Sequence, residues 1–274
     1  MSATDERPAS MNVLAFDIET VPDVALGRRL HGLEGLPDAE VAKAMFTLQR
    51  QRRGAEFLPL TQQRIVAISC ALRTRDDLRL WSLGDARSDE AELVERFFDG
   101  IERFSPVLVS WNGCNFDLPV LHYRALRAGT QAARYWEVGE QDTNFRYNNY
   151  LGRFHWRHID LMDVLSGYQQ RARASLAETA LLLGLPGKLG FDGSQVWEAY
   201  LAGELARVRR YCETDVLNTY LIYLRFELLR GRFAREQYAE EVARVKTLLR
   251  AGTEEHYAQF LSAWEASDAP EGTD

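Results

Sequence analysis

Val13-Leu14-Ala15-Phe16-Asp17-Ile18-Glu19 is the stretch that decides the fold: an apolar run, then two acids separated by one isoleucine. An apolar run this short, ended by acids, reads as a strand. Outward from it, Ile65 to Leu72 and Leu78 to Leu83 repeat the strand pattern, and the polar Arg73-Thr74-Arg75-Asp76-Asp77 between them suits a hairpin turn. Over Asp89 to Phe104, residues Leu93, Val94, Phe97, Phe98, Ile101 and Phe104 recur at helical spacing, with Ser88 as the expected N-cap. A buried strand follows at Val107-Leu108-Val109-Ser110-Trp111, then a helix from near Leu118 and a strand around His158 to Asp160. Long helical patterns run from Ser194 to Arg230 and from Arg235 to Trp264. This order predicts an α/β fold, a mixed β-sheet flanked by helices. Val24 to Leu60 reads as a helical insertion, with the cationic Arg50-Gln51-Arg52-Arg53 as a solvated helix face.

Composition narrows the function classes. The 274 residues, 46% of them apolar, suffice for one large domain or two small ones. A formal charge of −7, from 33 Lys plus Arg against 40 Asp plus Glu, argues against coating nucleic acid by bulk electrostatics. It leaves room for an enzyme that grips one strand end through a local cationic path. No apolar run approaches the ~18–20 residues that cross a bilayer, and MSATDERPAS lacks the apolar core of a secretory signal. Cys70, Cys114 and Cys212 form no Cys-x-x-Cys pair and read as reduced packing thiols of a cytoplasmic protein. Residues 1–10 and 267–274 are small and polar and are expected to be disordered tails. There is no internal repeat.

Three clusters carry chemistry. Residues two apart on a strand share a face, so Asp17 and Glu19 aim at one point, although an isolated Asp-x-Glu is more often a solvated strand end. In Trp111-Asn112-Gly113-Cys114-Asn115-Phe116-Asp117-Leu118-Pro119, Gly113 permits a tight turn and Asp117 opens a helix, where alone it reads as a cap. Tyr211 and Asp215 stand four apart inside a helix and share a face. Four carboxylates from two strand ends and one helix suit a pair of Mg²⁺ or Mn²⁺ ions.

At these residues the chain resembles the DEDD-type 3′-5′ exonucleases of ribonuclease H-like fold, in the tyrosine subclass related to the proofreading domain of family-B DNA polymerases. Asp17-Ile18-Glu19 matches the first motif, Asn112 to Asp117 the second and Tyr211-x-x-x-Asp215 the third. The histidine subclass has His where Arg210 stands. Further matches to the stand-alone exonucleases similar to that domain are Thr20-Val21-Pro22, His158-Ile159-Asp160-Leu161-Met162-Asp163 and Gly187-Lys188. The resemblance implies an exonuclease domain over 11–232, with 233–266 as a helical extension packed on it and no polymerase domain in the few dozen residues that follow. It implies two Mg²⁺ or Mn²⁺ ions held by Asp17, Glu19, Asp117 and Asp215, with Tyr211 orienting the attacking water. The implied substrate is the 3′ end of single-stranded or frayed DNA, cut to 5′-mononucleotides, with Thr20, Asn112, Phe116 and Lys188 as substrate contacts. Two rivals stay open: an exoribonuclease of the same fold, and an inactive nucleic-acid-binding module. Protein partners are not indicated.

Other clusters read less sharply. His158, Asp160 and Asp163 allow a second metal site, but a strand-to-helix junction is the preferred reading, with Asp160 as an acid behind the site and Arg157 or His158 as phosphate contacts. NFRYNNYLGRFHWR, residues 144–157, interleaves aromatics and arginines that either stack bases or pack inward. Gly187-Lys188 is followed by Leu189, so it is no ATP-binding loop. Cys114 has no histidine close in sequence and reads as packing.

Overall fold

A computed structural model of the chain describes residues 12–267. The first strand, β1 (Val13–Pro22), continues through Asp17 and Glu19 instead of ending at Phe16, because β2 (Gln63–Arg73) pairs antiparallel with it along its whole length. The ladder slips by one residue between Glu19 and Thr20: Glu19 faces Ala67 while Thr20 faces Ile65, which leaves Val66 as the extra residue of a bulge. As a result Val66 and Ala67 pack on the same side, while Ile65 and Ile68 pack on the other.

β3 (Leu78–Ser82) completes the predicted hairpin, closed by the Thr74 N–H donating to the Asp77 carbonyl. On the other edge β4 (Val107–Ser110) runs parallel to β1 but pairs with it only over Val13 to Ala15, and β5 (His158–Asp160) runs parallel to β4. The strand order is β3-β2-β1-β4-β5, a mixed five-stranded sheet of ribonuclease H-like type. Since β4 stops short, Asp17 and Glu19 stand beyond the ladder on that side.

The helices in chain order are α1 (Val24–His31), α2 (Asp38–Arg53), α3 (Glu90–Phe104), α4 (Asp117–Ala128), α5 (Ala133–Trp136) and α6 (Leu161–Leu165). They continue with α7 (Leu176–Leu182), α8 (Val196–Leu201), α9 (Leu205–Leu229), α10 (Arg235–Ala251) and α11 (Glu255–Ser267). Strand alternation sorts the two sides of the sheet. Leu14, Phe16 and Ile18 pack with Phe97, Phe98 and Ile101 of α3 and Leu118 and Leu121 of α4. Ala15 and Val109 pack with Val216 and Tyr220 of α9, and Phe260 and Trp264 of α11 extend the same cluster. The insertion is the expected helical pair, α1 and α2, around Val24, Val41 and Met45.

Several boundaries differ from the sequence reading. The N-cap of α3 is Asp89, whose side chain accepts from the Glu92 N–H, while the Ser88 hydroxyl accepts from the Asp85 N–H. The long pattern from Ser194 breaks into α8 and α9 at Gly203, whose φ of 77° is left-handed, and the pattern from Arg235 breaks into α10 and α11 around Gly252. Apolar spacing carries on across both breaks, so periodicity alone missed them. The expected tails fall outside the described residues, except that Ser267 closes α11. Among the described residues no helix is long and apolar enough to cross a membrane.

Candidate active site

Beyond the end of β4, the Ile18 N–H donates to an Asp117 carboxylate oxygen at 3.2 Å, and this bond ties the first turn of α4 to β1. Asp117 is the first residue of α4 behind a Phe116 cap, and it is only 3% exposed. From the opposite layer α9 presents Tyr211, Cys212 and Asp215, with Cys212 packed against β2 through Ala67. The Cys212 thiol lies 3.5 Å from a carboxylate oxygen of Asp17. The Tyr211 hydroxyl bonds to the Asp215 carboxylate. The structure therefore brings Asp17, Glu19, Asp117, Asp215 and Tyr211 together, from one strand and two helices.

Burial and mutual repulsion dominate the electrostatics. Desolvation raises the Asp17 pKa well above the usual carboxylate range, and Asp117, Glu19 and Asp215 push it further. Glu19 is raised by burial and then by Asp215 and Asp117, with Lys188 opposing. Burial lifts Asp117 to about 7 and Asp215 to about 6, the latter against the Tyr211 hydrogen bond and Lys188. Lys188, exposed at the left-handed Gly187 turn, is thus the cation that acts on this cluster from the α7–α8 connection. Burial beside these acids drives the Tyr211 phenol and the Cys212 thiol upward, so both stay protonated at neutral pH.

The donor set fits hard divalent ions. Oxygen ligands of Asp17 and Glu19 and the sulfur of Cys212 lie within 4.8 Å of one another. Carboxylate oxygens outnumber the single thiol in this set, and such a donor set suits Mg²⁺ or Mn²⁺ better than a thiophilic ion. A second grouping, Cys114, Asp160 and Asp163, is already satisfied. Asp160 accepts from the Asn112 and Cys114 N–H groups at 2.9 Å, and Asp163 pairs with Arg153 and Arg173. Burial lifts the Cys114 thiol to about 12. The strand-to-helix reading of this segment therefore describes it, with Asp160 capping α6 and clamping the turn before Asp117.

In that turn the left-handed residue is Asn112, at φ 66°, and not Gly113. Gly113 is required by proximity, since a Cβ there would sit 2.2 Å from Ser110 Oγ. The side chains of two predicted substrate contacts have local partners: Thr20 donates to Gln63, and Asn112 accepts from Asn115. Phe116 stands against the exposed Phe57 ring, centroids 5.6 Å apart. Sequence reasoning missed Phe57, which lies far from every motif in the connection after α2. It also missed the pairing of Cys114 with His158, whose ring nitrogen lies 3.6 Å from the sulfur; burial keeps that histidine neutral.

His158 and Arg157 are corrected as phosphate contacts. His158 is buried against Ser110 Oγ at 2.8 Å, and Arg157 is buried over the Phe145 ring while donating to the Asn148 carbonyl. The 144–157 segment divides: Phe145 and Tyr150 are core, whereas Tyr147 is 84% and Phe154 69% exposed. Arg50, in the cationic stretch of α2, is exposed and pairs with Glu56.

A polar chain runs from the site to the last helix. Ser69, which faces Asp17 across the ladder, shares a 2.8 Å hydrogen bond with Ser82. Ser82 donates to Glu213 at 2.6 Å, and the other oxygen of Glu213 meets His256 Nε2 of α11 at 2.8 Å. Glu213 lies between Tyr211 and Asp215 in sequence, so α11 is fastened to the segment that carries both.

The chain is similar to known proteins over most of its length. DNA polymerases of Archaeoglobus fulgidus and Thermococcus gorgonarius are 23% and 25% identical to this chain over 80% and 84% of it, and that of Thermococcus litoralis is 29% identical over 46%. The chain spans 27%, 30% and 8% of those relatives' lengths, respectively. Predicted 3′-5′ exonucleases related to the exonuclease domain of PolB match residues 55–264, a range that includes Asp117, Tyr211 and Asp215. Asp17 and Glu19 precede that range and are joined to it by the pairing of β1 with β2. On a match over most of its length, the chain belongs to the family of predicted 3′-5′ exonucleases related to the exonuclease domain of PolB.

Proposed function

We propose that the protein is a metal-dependent exonuclease that removes 5′-mononucleotides from the 3′ end of single-stranded or frayed DNA. One observation carries this reading. Four carboxylates are gathered at one point; burial raises the pKa of all four, and repulsion within the cluster raises Asp17 and Glu19 further, with only Lys188, among the described residues, as an opposing cation. A pair of divalent cations relieves both effects, and Asp17, Glu19, Asp117 and Asp215 would hold it. When bound, Mg²⁺ or Mn²⁺ would supply Lewis acidity to the phosphodiester and lower the pKa of water.

The chain's own groups account for the remaining tasks. Tyr211, neutral and bonded to Asp215, donates or accepts a hydrogen bond without taking a proton outright, so it positions the nucleophilic water. Lys188 brings positive charge to the carboxylate side of the cleft, where a phosphate must approach. The Phe116 and Phe57 pair offers aromatic faces to the terminal base, with Thr20 and Asn112 beside the same strand and turn. The free thiols Cys70, Cys114 and Cys212 suit a reducing cytoplasm.

The test is a nuclease assay on DNA and RNA oligonucleotides labelled at either end, with Mg²⁺, Mn²⁺ or EDTA. Stepwise shortening of 5′-labelled DNA and immediate release of a 3′ label as mononucleotide are expected. Preferential digestion of RNA would move the assignment to an exoribonuclease, and no cleavage of either polymer in any metal would overturn it.

A further inference from the structure

Helix α9 carries further groups on the face that leads to Tyr211. Arg207, Arg210 and Tyr211 stand at spacings of three and four residues, so they share that face. They line a cavity of about 190 Å³ together with Phe191 and with Glu255 and His256 of α11. Arg207 pairs with Glu204 at 3.1 Å and lies 4.8 Å over the Phe191 ring. Arg210 is exposed and has no ion pair among the described residues. The α11 wall is held in place, because His256 is bonded to Glu213 and Glu213 to Ser82.

The cavity opens beside the carboxylates through their shared Tyr211. The aromatic pair Phe57 and Phe116 belongs to the α4 side, and the two arginines belong to the α9 side. A strand whose last base meets the aromatics and whose scissile phosphate meets the acids must continue past α9. At 190 Å³ the cavity is below the ~300 Å³ at which whole-ligand pockets begin, a size that suits a phosphate and part of its sugar. A chain of net charge −7 also needs a local cationic path if it is to hold a polyanion. We propose that this cavity binds the internucleotide phosphate on the 5′ side of the scissile bond, with Arg210 and Arg207 as its ligands. The inference rests on the nuclease reading above and adds the direction from which the strand enters.

The test measures binding of full-length protein to pentathymidylate in Ca²⁺, over times in which a gel shows the oligonucleotide intact. A second oligonucleotide carries one neutral methylphosphonate at the linkage next to the 3′-terminal one. The wild type is expected to lose about tenfold in affinity on that substitution. The double variant Arg207→Ala/Arg210→Ala should lose about tenfold on the native oligonucleotide and nothing more on the modified one, and Arg210→Lys alone should retain part of the discrimination. Thymidine 5′-monophosphate, which lacks that linkage, should bind wild type and double variant alike. Equal methylphosphonate penalties in wild type and double variant would overturn the assignment while leaving the nuclease reading in place. A wild type that binds no oligonucleotide would overturn both.

Discussion

The Cys212 thiol lies 3.5 Å from a carboxylate oxygen of Asp17, the point at which α9 meets β1 inside the site. Burial and the neighbouring acids push that thiol's pKa up, so in the metal-free site it serves Asp17 as a donor, and we expect it to stay outside the metal shell. Titration with Cd²⁺ at pH 7 should therefore show no thiolate-to-metal charge-transfer absorption. Cys212→Ser should change Cd²⁺ affinity little. A strong band lost in Cys212→Ser would place sulfur in the metal shell.

The tyrosine and the acids should separate in their effects. Asp17→Ala or Asp215→Ala removes charge that would hold a divalent ion, so each should nearly abolish cleavage and weaken Mn²⁺ binding. Tyr211→Phe keeps the ring against Phe191 and removes only the hydroxyl. Turnover should fall ~10²–10⁴-fold with metal affinity nearly intact. Calorimetric Mn²⁺ titration beside turnover decides this, and unchanged turnover in Tyr211→Phe would reduce that residue to packing.

The raised carboxylates make stability depend on pH with a definite sign. A carboxyl whose folded-state pKa is raised binds its proton more tightly folded than unfolded. Its contribution is complete below the ordinary value near 4 and is lost as pH rises through the folded value, about 6 for Asp215 and about 7 for Asp117. In EDTA the melting temperature should thus fall from pH 5 to pH 8, by roughly 4–16 °C for a change of about 2–4 kcal/mol. Saturating Mn²⁺ should restore most of the loss at pH 8 and little at pH 5. Scanning calorimetry with and without metal checks both signs.

The pairings within each motif were legible because they depend on local spacing. The meeting of the three motifs is tertiary, and it is expected from their joint occurrence and the family resemblance. Asp17 and Glu19 share a strand face whatever surrounds them, and Tyr211 and Asp215 share a helix face in the same way. What escaped depends on tertiary placement. Phe57 meets Phe116 because the chain after α2 returns to α4, and Cys114 meets His158 because β4 and β5 are neighbours. The aromatics of 144–157 follow no regular alternation, since much of that segment is irregular, so their inward and outward members could not be sorted in advance. Gly203 leaves no mark in the periodicity, because the apolar spacing of α8 and α9 stays in phase across it.

One buried cluster away from the site should dominate stability. Arg124, 3% exposed, donates to Asp23 at 2.8 Å and also to Glu90, and it joins α4 to the cap of α1 and the first turn of α3. Arg124→Met should cost ~3 kcal/mol in urea unfolding, the low end for breaking a buried pair, because Arg127 still reaches both acids. Arg127→Ala, at an exposed position, should cost under ~1 kcal/mol. Equal losses would mean that the two arginines share the burden.

The extra residue at Val66 has a consequence for how this fold tolerates change. Val66 and Ala67 both pack toward the cluster that holds Tyr211 and Cys212, an arrangement that a straight ladder could not give two successive residues. Removing Val66 would return β2 to strict alternation, with Ile65 and Ile68 still on one side and Ala67 on the other, so the loss would fall on Val66's own packing beside Tyr211 and Cys212. The ladder thus carries one more side chain on the Tyr211 wall than its pairing requires, so a strand shortened at Val66 should keep its register and lose packing at that wall alone.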